Sequence, residues 1–275
     1  MRSRCAAWLL GLALFLPATL LKADVPTVAA ASDLQFALTE AAERFRDETG
    51  RELRLNFGSS GNFRRQIAQG APFELYLSAD EAYVLALHEE GYTEDEGTVY
   101  AIGRLAWMQR PGRNDLTGED APLAAVREAI AAHGAGQGRP RIALANPEHA
   151  PYGVAAKQAL EHAGLWEETA PLRILGENVS QAAQFALTSD ARGGLVAWSL
   201  ALAPTLAERS DHVLIPEAWH APLVQRMVLV KEAGETARAF YVWLQEEEAR
   251  AVLADYGFRL PGQDAQPADE GVTTP

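Results

Sequence analysis

One pattern occurs twice within residues 25–69 and restricts the chain to a parallel α/β sheet: a short apolar strand runs through serine into a helix. Residues 25–31 (Val-Pro-Thr-Val-Ala-Ala-Ala) read as the first strand. Ser32-Asp33 follows, and Leu34, Ala37, Leu38, Ala41, Ala42 and Phe45 then recur at helical spacing up to Thr49-Gly50. Ser32 or Asp33 is the expected N-cap of that helix. Residues 51–57 read as a second strand, Gly58-Ser59-Ser60-Gly61-Asn62 as a turn, and residues 63–69 as a second helix ended by Gly70. Two parallel strands that each feed a helix place both helix starts at one carboxyl edge of the sheet, where open α/β folds bind ligands.

The chemistry of that edge points to an anion. A helix start carries backbone N–H groups without acceptors and a partial positive charge. Serine hydroxyls beside such groups, with glycine allowing close backbone approach, form a cradle of donors. The chain is acidic, with 24 Lys and Arg against 37 Asp and Glu. It lacks a basic stripe, which argues against nucleic acid as a partner. A small anion bound by N–H and O–H dipoles is compatible with that charge.

The remaining chain repeats the architecture. Residues 75–78 read as a strand, with Asp80-Glu81 opening a helix over 82–90. Residues 99–109 read as one long strand, and 123–133 as a helix. Strands at 141–145, 173–175 and 193–198 alternate with helices at 154–163 and 181–187, and the turns at 146–153 and 178–180 resemble those of the first segment. A strand at 222–230 precedes a helical pair within 235–255 that is expected to pack on the first lobe. The spacing therefore predicts two α/β lobes joined by crossing strands: residues 24–102 and 206–262 in lobe I, and 103–205 in lobe II.

Both ends read differently. Arg2 and Arg4 precede an apolar run from Ala6 to Leu21, and Leu21-Lys22-Ala23 offers a cleavage site after Ala23. This is the pattern of a secretory signal peptide over residues 1–23. The only cysteine, Cys5, lies inside it. A processed chain would contain no thiol, and would carry 21 basic residues against 37 acidic ones, a net charge of −16. Residues 263–275, rich in Pro, Gln, Asp and Thr, read as a disordered tail.

Several motifs, in order, resemble the periplasmic molybdate-binding proteins of ABC importers. They are Ala30-Ala31-Ser32-Asp33-Leu34, Phe57-Gly58-Ser59-Ser60-Gly61, Gly70-Ala71-Pro72 running on to Ser78-Ala79-Asp80, Asn146-Pro147-Glu148-His149-Ala150-Pro151-Tyr152-Gly153, and Tyr256-Gly257-Phe258. The resemblance spans nearly all of the chain after residue 25. It implies a type II periplasmic-binding-protein fold with a ligand cleft between the lobes and crossing strands as the hinge. It also implies a monomeric protein of the periplasm that captures molybdate or tungstate and delivers it to an ABC transporter permease. No cofactor and no direct cation ligand are implied. The family's anion donors map to Ser32 and Ser60 in lobe I and to the backbone N–H groups of Tyr152 and Val179 in lobe II. Some members add a tyrosine from the strand at 194–197, but here Ala197 has no hydroxyl. Tyr152 is therefore expected to give both its N–H and its phenol.

Three further residues are expected to support the site. Ser59 is expected to cap the second helix or back the pocket. Asp33 is expected to point outward, because an ionised carboxylate facing a dianion in a dry pocket would repel it. His149 has no second His, Cys or carboxylate at ligand spacing in its loop, so a turn or supporting role is expected rather than metal ligation. Sulfate or phosphate remains an alternative ligand, since pocket size cannot be measured from sequence. Phosphate would need an acceptor for its proton, and Asp33 is the nearby candidate. A secreted serine hydrolase is the remote alternative. Gly58-Ser59-Ser60-Gly61 lacks the Gly-x-Ser-x-Gly spacing of a nucleophile elbow, so no enzyme activity is expected.

Overall fold

The structure is a computed structural model that describes residues 25–112, 118, 121–188 and 190–262. The expected signal peptide and the expected tail both lie outside the described residues. The chain runs β1 (Thr27–Ala31), a 3-10 turn Ser32–Leu34, α1 (Gln35–Thr49), β2 (Arg54–Gly58), α2 (Ser60–Ala68), β3 (Leu75–Ser78), α3 (Glu81–Glu89), β4 (Thr98–Gly103) and β5 (Leu105–Gln109). It continues through α4 (Ala124–Gly134), β6 (Arg141–Ala145), α5 (Pro151–His162), β7 (Arg173–Gly176), α6 (Val179–Ala186), β8 (Ala191–Ala197), α7 (Trp198–Leu202) and α8 (Pro204–Ala207). β9 (Asp211–Leu214), a 3-10 turn Glu217–Trp219, β10 (Leu223–Leu229), α9 (Glu235–Trp243) and α10 (Glu247–Asp255) complete it.

The strands form two five-stranded sheets, ordered β2-β1-β3-β10-β4 and β7-β6-β8-β5-β9. In the first, β1 is parallel to β2 and β3, whereas β10 is antiparallel to β3 and β4. In the second, β6 is parallel to β7 and β8, and β5 is antiparallel to β8 and β9. The register pairs Ala31 with Gly58 at the end of β1 and β2, and Ala145 with Gly176 at the end of β6 and β7. Each lobe thus ends two parallel strands at one edge, and each of these four strands leads into a helical turn at that edge.

Three points differ from the sequence-based expectation. The long strand at 99–109 is two strands, β4 and β5, which belong to different sheets and are separated by Arg104 alone. The apolar pattern is continuous across the crossing because β5 is buried throughout and β4, at the edge of its sheet, still buries Tyr100, Ala101 and Gly103. The return to lobe I comes later than residue 206. β9 pairs with β5, Leu206 packs into the lobe II core, and the Ile215 N–H donates to Leu105 O at 2.9 Å. This edge strand of four residues carries Asp211 and His212, so it has no alternation to read. α5 and α2 each start three residues early, at Pro151 and Ser60. Proline at the first helical position is preset for the helix and lacks an N–H that would be unpaired there anyway.

The core follows the sheets. α1, α9 and α10 cover one face of the first sheet through Leu38, Phe45, Phe240, Trp243 and Leu253. α2 and α3 cover the other through Ile67, Val84 and Leu87. The lobe II core contains Trp107, Leu144 and Leu195, together with Ala31, Ala79 and Leu223 from lobe I strands or their ends, so the lobes are packed together. Phe240 is fully buried, with its ring 5.0 Å from Phe45 and 6.0 Å from Trp243. Phe240→Ala is expected to lower stability by about 3–5 kcal/mol through lost burial and a residual cavity, read as a shifted urea midpoint with unchanged slope.

Candidate functional site

Where the two sheet edges meet lies a small cavity, with about 10 Å³ open to the centre of a water-sized sphere. Ser32, Asp33, Ser59 and Ser60 line it from lobe I, and Pro151, Tyr152, Asn178 and Val179 from lobe II. Among the described residues, no lysine or arginine lines it. The four residues expected to hold an anion, Ser32, Ser60, Tyr152 and Val179, are therefore brought to one cavity.

Their donors are directed by the local folding. Ser60, Tyr152 and Val179 lie in the first turns of α2, α5 and α6. Neighbouring N–H groups in these turns are paired: Gly61 with His149 O, Gly153 with Ala150 O, Ser180 with Ser32 Oγ and Gln181 with Asn178 Oδ1. The N–H groups of Ser60, Tyr152 and Val179 have no protein acceptor among the described residues. Three helix starts thus leave one free amide each at the cavity, where dipoles favour negative charge.

The hydroxyls are prepared in a similar way. Ser60 Oγ accepts the Ala79 N–H at 3.0 Å, and Ser32 Oγ accepts the Ser180 N–H at 3.3 Å. A hydroxyl has one hydrogen to donate. With their oxygens already accepting and no protein acceptor for either hydrogen among the described residues, both can donate into the cavity. The Ser32 carbonyl also accepts from Ser180 Oγ at 2.8 Å, which ties the first jaw of lobe I to α6.

Asp33 does not point outward as expected. It is 1% exposed, and its Oδ2 accepts from Gln225 Nε2 at 2.6 Å. Its Oδ1 has no hydrogen-bond partner. The 3-10 turn after β1, not an N-cap geometry, sets this direction, and neither Ser32 nor Asp33 caps α1 with its side chain. Burial raises the Asp33 pKa to about 6. The Gln225 hydrogen bond opposes the rise, with smaller help to the ionised form from Tyr152 and from the Asp33 and Leu34 amides. The Tyr152 phenol is part of this hinge network. Its oxygen accepts from Gln225 Nε2 at 3.3 Å, and a Cβ at Gly103 would come within 2.3 Å of it. Tyr100 donates to Gln225 Oε1 at 2.6 Å. The phenol expected to serve the anion thus has a second partner, in the hinge. The hydroxyl is held by the hinge, while the backbone N–H of the same residue faces the cavity.

Ser59 and His149 also differ from a simple turn role. Ser59 occupies the N-cap position of α2 but makes no capping bond with its side chain. Its hydroxyl donates to the His149 carbonyl, and His149 Nδ1 lies 2.9 Å from the same oxygen. His149 Nε2 stands 3.6 Å from Glu177 Oε2. Ser, His and Glu in line have the composition of a hydrolase triad, but the Ser59 hydrogen goes to a backbone carbonyl rather than to the imidazole. Arg64 pairs with Glu90 and Arg65 with Asn62 on the outer face of α2. Among the described residues no group of three or more His, Cys, Asp or Glu could hold a metal ion. Gln225 was missed by sequence reasoning. It lies in an ordinary strand pattern 192 residues from Asp33, and nothing local marks it.

The raised Asp33 pKa has a signed consequence. The folded protein holds this proton more tightly than the unfolded chain, so stability falls as pH rises from about 4 to about 6, and the full penalty applies above that. At roughly 1.4 kcal/mol per pKa unit, the penalty is up to about 3 kcal/mol. Asp33→Asn is expected to raise the melting temperature at pH 7.5 and to have little effect near pH 4. An equal shift at both pH values would show that ionisation of Asp33 is not the cause.

Known proteins share both sequence and architecture with this chain. Residues 26–259 match the model of the bacterial extracellular solute-binding protein family. Molybdate-binding protein ModA of Rhodobacter capsulatus is 33% identical over 262 residues, 94% of this chain and 96% of the relative. The solved periplasmic molybdate-binding protein of Azotobacter vinelandii superposes with a TM-score of 0.75 at 29% identity, covering 86% of this chain and 99% of that one. The sulfate-binding protein SubI of Mycobacterium tuberculosis, at 13% identity and a TM-score of 0.69 over 86% of this chain and 87% of its own, shares the fold alone. With a family match across both lobes and the cavity between them, this chain belongs to the bacterial extracellular solute-binding proteins.

Proposed function

We propose that this protein is the molybdate-binding component of an ABC importer, closing its two lobes on one tetrahedral oxyanion. The observation that carries the reading is the convergence of three unpaired helix-start amides and two donating hydroxyls on a cavity that, among the described residues, no lysine or arginine lines. Such donors suit a fully deprotonated oxyanion, which offers acceptors on every oxygen. Charge-assisted hydrogen bonds shielded from water offset the loss of hydration. The relatives named for molybdate, aligned over nearly the whole chain, point to the same ligand. Tungstate, of nearly the same size and charge, is accepted by the same donors. In this reading, Ser32, Ser60 and the amides of Tyr152 and Val179 hold the anion. The leader at residues 1–23 directs the chain to the periplasm, where it acts as a monomer that hands the anion to a membrane permease. No catalytic step is needed.

One observation favours a second reading. The buried Asp33 Oδ1 without a partner, in a residue that lines the cavity, is an acceptor that a protonated oxyanion such as hydrogen phosphate could use.

Calorimetry of the leader-free protein with molybdate, tungstate, sulfate and phosphate separates the two. Heat with molybdate and tungstate is expected; binding of phosphate or sulfate without molybdate would overturn the assignment. Ser60→Ala is expected to weaken molybdate binding by about 1–3 kcal/mol, the loss of one hydrogen bond to a charged group. An unchanged dissociation constant would remove Ser60 from the anion.

A further inference from the structure

We infer that Ser59 and His149 are positioning residues that clasp the closed lobes and set how long the anion stays, not how fast it enters. The inference rests on the oxyanion reading above but concerns residues that do not hold the anion.

Three interactions from one turn of lobe I converge on one residue of lobe II. The Ser59 hydroxyl donates to His149 O, the Gly61 N–H donates to the same carbonyl at 3.0 Å, and His149 Nδ1 meets Ser59 Oγ at 2.9 Å. Because the single Ser59 hydrogen is given to the carbonyl, Ser59 Oγ can only accept from the ring, so Nδ1 is the nitrogen that carries hydrogen. The hydroxyl and the histidine close a reciprocal pair, one through side chain to backbone and the other through side chain to side chain. Ser59 is 4% exposed and His149 is 7% exposed, so water competes little for these bonds. Gly61 is required at this junction, because a Cβ there would come within 2.7 Å of His149 O.

Position links the clasp to the anion. Ser59 precedes Ser60, whose amide and hydroxyl face the cavity. His149 stands three residues before Tyr152, whose amide faces it from the other side. Through Nε2, His149 also approaches Glu177, two residues before Val179. One side chain therefore touches the turns that carry three of the four anion-holding residues. The Ser59 hydroxyl cannot also donate to the anion, since its hydrogen is already given to His149 O.

These bonds form only when the lobes meet. An anion arriving at the open protein gains nothing from them, whereas release requires them to break. Loss of the clasp should therefore appear in the dissociation rate and leave association nearly unchanged.

Stopped-flow tryptophan fluorescence with molybdate measures both rates on the leader-free chain. Ser59→Ala and His149→Ala are each expected to raise the dissociation rate by about tenfold, with association within about twofold of the parent. His149→Asn, whose side-chain amide can donate from the place of Nδ1, is expected to restore most of the residence time. A dissociation rate unchanged in both alanine variants, an effect confined to association, or a His149→Asn variant as impaired as His149→Ala would each overturn the clasp. Failure of the parent protein to bind molybdate at all would instead overturn the oxyanion assignment, and the clasp's role in release with it.

Discussion

The structure depends on the free backbone N–H groups at helix starts. A dianion removed from water must find donors for its oxygens. A lysine or arginine would neutralise it, but among the described residues none lines this cavity. Instead α2, α5 and α6 each contribute one amide that the helix itself cannot use. Because each helix starts at the carboxyl end of a strand, the sheet architecture fixes where these amides stand. The doubled lobe then follows from geometry. One sheet edge can face only one side of a tetrahedral anion, so a second edge must close over the other.

Closure is held by short polar contacts rather than by a large apolar interface at the site. Ser32 is bonded to Ser180, Ser59 and Gly61 to His149, and the Asp33 carbonyl accepts from Ser199 at 2.8 Å. Such bonds are modest individually, which suits lobes that must open again. The hinge is organised differently. Gln225 on β10 binds Asp33 and Tyr152 together while accepting from Tyr100. Burial raises the pKa values of both phenols, with the nearby Asp33 carboxylate adding to the effect, so they remain protonated. Among the described residues Asp33 is the one carboxyl that lines the cavity.

Much of the fold was legible because its signals are local. Strand, serine and helix in succession identified the jaws of lobe I. Asp80 and Asn178 cap α3 and α6 with their side chains, as their positions before those helices suggested. Ser32, Ser60, Tyr152 and Val179 were legible through motifs at strand ends, and the structure brings them to one cavity. The direction of side chains was not legible. Asp33 looked like an exposed cap, yet its carboxylate turns into the hinge. Ser59 looked like a cap, yet it reaches across to the other lobe. The hinge contact of the Tyr152 phenol with Gly103 and Gln225 had no local signal either.

By itself the sequence determined two α/β lobes, the strand ends that carry the jaws, and a site built of neutral donors. Each rests on neighbours within a few residues, where periodicity, capping and glycine placement act. Only the tertiary structure decided which lobe β9 joins, where the crossing at Arg104 falls, and which partner each polar side chain takes. Those outcomes depend on pairs far apart in the chain, such as Asp33 with Gln225 and Ser59 with His149. No local pattern records such a pair, because the hydrogen bond exists only after both lobes have folded and met.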